Sequence, residues 1–252
     1  MDFLLPESVV KHNTKTKVYP DGSTKTVVCN QPIFKEAGLE CVYKPDNGLG
    51  SLHYDMDSIS RSDSIKRAKE KVFDIVKSNN FDLFVTLTFD PSKIADRYDP
   101  KLVGKKLRKW CNNCVERKGL NYVLLPEHHK DGAIHMHMLC SCEKFTLDDS
   151  GLTDKDGRTI YNVKDWSLGF STAIYITGDI ENTAKYVTKY ITKESEKIFG
   201  SFYYAGGKKL VRDVPIVLSD SDWNDFEDCR TYPVPNCNLQ FRYPDSMGVV
   251  AR

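Results

Sequence analysis

The sequence predicts an α+β fold in which helices pack on a central antiparallel β-sheet, and one strand of that sheet carries a His-x-His pair. Three observations predict it. The periodic segments run in the order helix, strand, helix, hairpin, strand, helix, which favours antiparallel pairing with helices laid on the sheet. Two of the strands are separated only by a short glycine-containing turn. At 252 residues and 40% hydrophobic content, the chain is long enough for one cored domain with flanking segments.

The elements follow from local pattern. Residues 62–78 repeat Ile65, Ala68, Val72, Ile75 and Val76 at helical spacing, with Lys and Arg opposite. Residues 81–89 are rich in β-branched and aromatic residues and precede Pro91, which marks a strand. Asp99-Pro100 opens a second helix, Asp as N-cap and Pro in the first turn, with the apolar stripe Val103, Leu107, Trp110 and Cys114. Residues 121–127 and 133–141 read as a hairpin around Lys130-Asp131-Gly132. Residues 143–169 are polar and turn-rich, Phe170 to Ile176 form a strand, and Asp179 caps a helix running to about Lys197. The tail alternates short strands with turns. This divides the chain into an N-terminal extension (1–60) to which no motif assigns a role, a central domain (61–215) and an acidic tail (216–252).

Composition excludes several classes. The net charge of +1 argues against a uniformly basic nucleic-acid binder, so charge distribution matters more than the total. Basic residues gather at 61–77 and 101–118, and acids at Asp220, Asp222, Asp225, Glu227 and Asp228. No secretory signal and no apolar run long enough to span a bilayer is present, so a cytoplasmic location without membrane attachment is expected. The eight cysteines lack a disulfide framework and read as reduced thiols. Cys111, Cys114, Cys140 and Cys142 form a weak candidate for a zinc site. No phosphate-binding Gly-x-x-x-x-Gly-Lys-Ser/Thr loop occurs, so a nucleotide-driven motor is not indicated and any unwinding must come from a partner.

Two constellations carry chemistry. His135 and His137, two apart on a strand, point to the same face. A two-residue Asp131-Gly132 turn would pair His128 with His135. A three-residue Lys130-Asp131-Gly132 loop closed by a glycine bulge would pair Glu127 with His135 and Leu125 with His137. The second register is preferred, because it sets a carboxylate beside two imidazoles and puts His129 on the same face. That donor set suits Mg²⁺ or Mn²⁺, and also a catalytic Zn²⁺. The second constellation is Tyr186-Val-Thr-Lys189-Tyr190-Ile-Thr-Lys193. On a helix, Ile180, Ala184, Val187 and Ile191 face the core, Tyr186 and Tyr190 share one flank, and Lys189 and Lys193 stand beside them. Phenols so placed fit nucleophilic attack on a phosphodiester, with lysines neutralising developing charge. Lys105, Arg108, Lys109 and Lys185 are the candidate DNA contacts.

Taken together, Phe84-Val-Thr-Leu-Thr-Phe89, Pro126-Glu-His-His-Lys-Asp-Gly-Ala-Ile-His-Met-His137 and Tyr186-Val-Thr-Lys-Tyr-Ile-Thr-Lys193 resemble, in that order, the motif strand, metal hairpin and tyrosine helix of HUH endonucleases. The likeness is to the small replication-associated proteins of phages and plasmids and covers about residues 60–210. It implies rolling-circle initiation: a tyrosine nicks single-stranded origin DNA, keeps the 5′ end as a phosphotyrosine and frees a 3′-hydroxyl primer. It implies His135 and His137 as metal ligands, Glu127 as the third and His129 as a further candidate, with host polymerase and helicase as partners. A non-catalytic DNA-binding module with structural histidines is the alternative. A zinc hydrolase ranks lower, because Met138-Leu139-Cys140 adds no ligand after the histidine pair.

Overall fold

The computed structural model describes residues 10–29, 31–35, 56–191, 197–222, 229–233 and 240–244. The chain divides into two compact units, one built from residues 1–52 and 214–252, the other from residues 53–213.

The larger unit holds the expected α+β architecture. Its elements are α1 (Met56–Lys77), β5 (Leu83–Phe89), α2 (Pro100–Lys118), β6 (Asn121–His128), β7 (Ile134–Ser141), β8 (Leu147–Thr153), β9 (Thr159–Val163), β10 (Gly169–Tyr175), α3 (Ile180–Thr188) and β11 (Tyr204–Gly206). The strand numbers continue from β1 (Lys11–His12), β2 (Thr14–Val18), β3 (Thr24–Cys29) and β4 (Phe34–Lys35) of the other unit. Seven strands form one sheet in the order β11-β6-β7-β5-β10-β9-β8, every neighbouring pair antiparallel.

Strand alternation sorts this sheet into two faces. On β5, Leu83, Val85, Leu87 and Phe89 join Ile134, Met136, Met138 and Cys140 of β7 in a core that α2 covers with Val103, Leu107, Trp110, Cys111 and Cys114. The intervening residues face the other way. There the register makes three rows across β6, β7, β5 and β10: Val123–Leu139–Phe84–Ile174, Leu125–His137–Thr86–Thr172 and Glu127–His135–Thr88–Phe170. α1 and α3 cover the first row, packing Val72, Ile75, Val76, Ala184, Val187 and Ile191 against Val123, Leu139 and Phe84. Cover then runs out: Leu125 and His137 are buried, whereas Thr172 and Phe170 are exposed.

Two differences from the sequence reading have physical causes. The polar stretch 143–169 contains the strands β8 and β9, which sit at the sheet edge where solvent takes the place of an apolar face, so no alternation marks them. The helix expected to reach Lys197 ends at Thr188. The next amides bond back three residues, Lys189 to Tyr186, Tyr190 to Val187 and Ile191 to Thr188, a tightened final turn that carries Tyr190. Thr188 Oγ1 donates to the Lys185 carbonyl at 2.9 Å, using that oxygen locally.

In the smaller unit, strands from both ends of the chain share a five-stranded antiparallel sheet, ordered β12 (Ile216–Ser219), β2, β3, β14 (Gln240–Pro244), β13 (Cys229–Pro233). Asn13 links the two ends, donating from Nδ2 to the Ser221 carbonyl at 2.7 Å and accepting the Ser221 amide at 2.9 Å. His12 meets Asp220 at 3.2 Å. Residues 1–60 and 216–252 were read as unrelated flanks because pairing between distant segments leaves no local signature. Asp225, Glu227 and Asp228 lie outside the described residues.

Candidate active site

The site begins with the hairpin register. The His129 amide donates to the Ala133 carbonyl at 2.8 Å and the Gly132 amide to the His129 carbonyl at 2.7 Å, enclosing a loop of Lys130, Asp131 and Gly132. Gly132 takes φ 84°, a left-handed conformation that suits glycine at the closing bulge. Asp131 accepts the Ala133 amide at 3.0 Å and Arg97 at 2.8 Å, which holds its carboxyl below the usual carboxylate range. The result pairs Glu127 with His135 and Leu125 with His137, the glycine-bulge register preferred from sequence.

Glu127, His135 and His137 therefore converge. One carboxylate oxygen of Glu127 lies 3.3 Å from His135 Nε2 and 2.9 Å from His137 Nε2. The three ligand atoms fall within 4.8 Å of one another, the group of three among the described residues able to hold a metal ion. Two imidazole nitrogens and a carboxylate oxygen on one side leave other positions open to a ligand, which fits a divalent ion. His137 is the buried member, and desolvation followed by the neighbouring His135 lowers its pKa against the opposing pull of Glu127. A neutral imidazole is the ligating form. Thr86, opposite on β5, sets its orientation: Thr86 Oγ1 lies 3.3 Å from His137 Nδ1. With Nδ1–H donating to that hydroxyl, the Nε2 lone pair points at the converging group.

The tyrosines close over this group. The Tyr190 ring stacks on His137 at 4.0 Å between centroids, 24° from parallel, and also faces Phe84. Tyr186 meets Phe84 edge-on and its hydroxyl lies 3.0 Å from that of Tyr190. Their exposures differ: Tyr186 is 49% exposed, whereas Tyr190 packs against the second core. Burial, then the bond to Tyr186 and the charge of Glu127, pushes the Tyr190 phenol well above its ordinary value. Tyr190 is thus the proton-holding partner of the pair.

The remaining candidates scatter. Lys189 stands with its Nζ 5.9 Å from the Tyr186 ring centre. Lys193 lies outside the described residues. The His129 ring lies 5.4 Å from that of His135, but its Nδ1 turns to Asp131 at 3.2 Å and it is not one of the three converging ligands. Lys105, Arg108 and Lys109 are exposed on α2, across the sheet from the histidines, so the structure does not bring them to this group. Lys185 pairs with Glu181 at 2.8 Å. The four cysteines form no ligand group; they are buried, and desolvation pushes the Cys111 and Cys114 thiols up to about 12. Thr86 was missed from sequence, because its role depends on β5 pairing with β7.

Residues 82–195 match a family model for replication-associated proteins of the ORF2 type. That segment runs from β5 through α3, so the replication-associated match contains the metal group and both tyrosines. It supports a role for this chain in DNA replication. No curated protein and no solved structure gives a significant match. No helix among the described residues is long and apolar enough to cross a membrane.

Proposed function

We propose that this chain is a rolling-circle replication initiator of the HUH type, nicking and rejoining single-stranded origin DNA through a 5′-phosphotyrosine. The observation that carries this reading is the stack of Tyr190 on His137, which holds a hydroxyl-bonded tyrosine pair against the Glu127–His135–His137 group. A bound Mg²⁺ or Mn²⁺ would polarise the scissile phosphate and offset its charge.

The protein's own part can be followed atom by atom. Tyr186, open to solvent, presents its oxygen to the phosphorus, and its proton leaves to water. The new bond joins Tyr186 Oη to phosphorus while the bond from phosphorus to the 3′ oxygen breaks, and that oxygen takes up a proton as the free 3′-hydroxyl. Tyr190 keeps its proton and donates to Tyr186 Oη. Joining is the reverse, a 3′-hydroxyl attacking the phosphotyrosine. Host polymerase would extend the primer and a host helicase would open the duplex.

The test is covalent capture. The protein is incubated with Mn²⁺ and single-stranded oligonucleotides tiling the replicon that encodes it. An adduct that survives SDS is expected, lost with a chelator and in Tyr186→Phe. Absence of any adduct from protein shown to bind Mn²⁺ would remove the tyrosine mechanism.

A further inference from the structure

Resting on that reading, we propose that the open half of the sheet beside the metal group is the platform that carries the single strand, and that Phe170 is the side chain on which a base next to the scissile phosphate stacks.

The grid of rows supplies the geometry. Phe170, Thr88 and His135 stand side by side on β10, β5 and β7, and Thr172, Thr86 and His137 form the next row. Adjacent strands lie about 4.8 Å apart, which sets the Phe170 backbone about 10 Å from that of His135 on the same face. Phe170 is 68% exposed, while Ser171 and Ala173 beside it in sequence are buried on the α2 face. An exposed phenyl ring on an ordered strand is apolar surface left open to water.

The ring is also held in place. A Cβ at Gly169 would collide with the Thr88 carbonyl oxygen, so glycine lets β10 start tight against β5. The Asp90 amide donates to the Leu168 carbonyl at 3.1 Å, and Trp166 Nε1 donates to the Thr88 carbonyl at 3.1 Å. Trp166 in turn packs edge-on against Phe89 and Trp110 in the α2 core. The phenyl group is therefore presented from a fixed backbone.

Its surroundings select the occupant. Thr86, Thr88, Thr172 and Asn162 supply hydroxyls and an amide around the exposed ring, where a protein-docking surface would show contiguous apolar side chains. A ring for stacking with polar groups for the sugar-phosphate chain is the arrangement that single strands use. The face is continuous with the group that grips the scissile phosphate, so a strand held there would run onto β10. Duplex DNA, its bases already stacked on each other, could not use the ring.

The experiment measures anisotropy of a fluorescein-labelled oligothymidylate on the full chain with Mn²⁺ present. Phe170→Ala should weaken binding by about 5- to 100-fold, the range for one base stacked on an aromatic side chain. Phe170→Trp should bind as wild type, and its added indole emission should be quenched by the oligonucleotide. Tyr175→Ala, which removes a ring 48% exposed on the opposite face, should leave affinity unchanged. The proposal is overturned if Phe170→Ala binds within twofold of wild type, if Phe170→Leu restores full affinity, or if the phenyl group instead supports self-association in sedimentation. A protein that binds the oligonucleotide through Phe170 but never forms an adduct keeps the platform and removes the nicking reaction.

Discussion

At the scale of single residues, the decisive fact is that one carboxylate oxygen faces two imidazole nitrogens, and Thr86 controls how well one of them is aimed. Replacing Thr86 with valine keeps shape and β-propensity but removes the partner of His137 Nδ1. Mn²⁺ affinity by titration calorimetry should fall about 10- to 100-fold, while serine at this position should restore it. An unchanged affinity in the valine variant would mean the imidazole is oriented by packing alone. The tyrosines should separate just as clearly. Tyr186→Phe should cut adduct formation by more than about 10³-fold, as loss of a nucleophile does. Tyr190→Phe loses one hydrogen bond to the attacking oxygen and should slow nicking about 3- to 10-fold. If both tyrosines react, it should also abolish a second strand transfer, scored on gels as failure to circularise product. The converging trio was legible in the sequence because strand alternation and a glycine-closed loop each limit the register. Thr86 and Phe170 were not, since nothing local says which strand lies next to β7.

Among elements, the tyrosine helix owes its position to packing of Ala184, Val187 and Ile191 and to an ion pair with α1. Glu181 lies 2.8 Å from Lys185 and 3.2 Å from Lys77, whose side chain is 7% exposed. Lys185 first, then Lys77, holds the Glu181 carboxyl below its ordinary value. A depressed carboxylate stabilises the fold above its unfolded pKa, and that contribution is lost as pH falls through the folded value. Glu181→Gln should therefore cost about 1–2 kcal/mol at pH 7. The gap from wild type should close as pH drops below about 4.3, the ordinary glutamate value. Chemical denaturation across pH would show it, and a gap independent of pH would assign the loss to packing. Sequence periodicity found this helix and its buried stripe but overran its end, because Ile191 continues the apolar pattern after the hydrogen bonds have tightened. Periodicity also found α2 and its basic flank. It could not say which sheet face α2 covers, and that choice separates Lys105, Arg108 and Lys109 from the histidines.

For the molecule as a whole, the metal group, both tyrosines and both sheet cores lie within residues 53–213. A fragment of those residues should fold, bind Mn²⁺ with the affinity of the full chain, and form whatever adduct the full chain forms. Circular dichroism, calorimetry and the gel assay would check each part. A fragment that fails to fold would show that this unit needs the strands of the chain ends. Those strands were the least readable part of the sequence, because Asn13 and Ser221 meet only once the chain has folded.

The alternation of β7 has a consequence for how such a chain can vary. His135 and His137 occupy one parity of the strand, Ile134, Met136 and Met138 the other. Inserting or deleting one residue within β7 would swap the two sets for every position beyond the change, turning methionines toward the tyrosines and imidazoles into the α2 core. A change of two residues would preserve the assignment. Length changes in the Lys130–Gly132 loop carry no such rule, because a loop absorbs an extra residue without slipping the strands. The chemistry of this sheet is thus protected by counting in twos, and a library of insertions scored for metal binding should show survival alternating along β7 and flat across the loop.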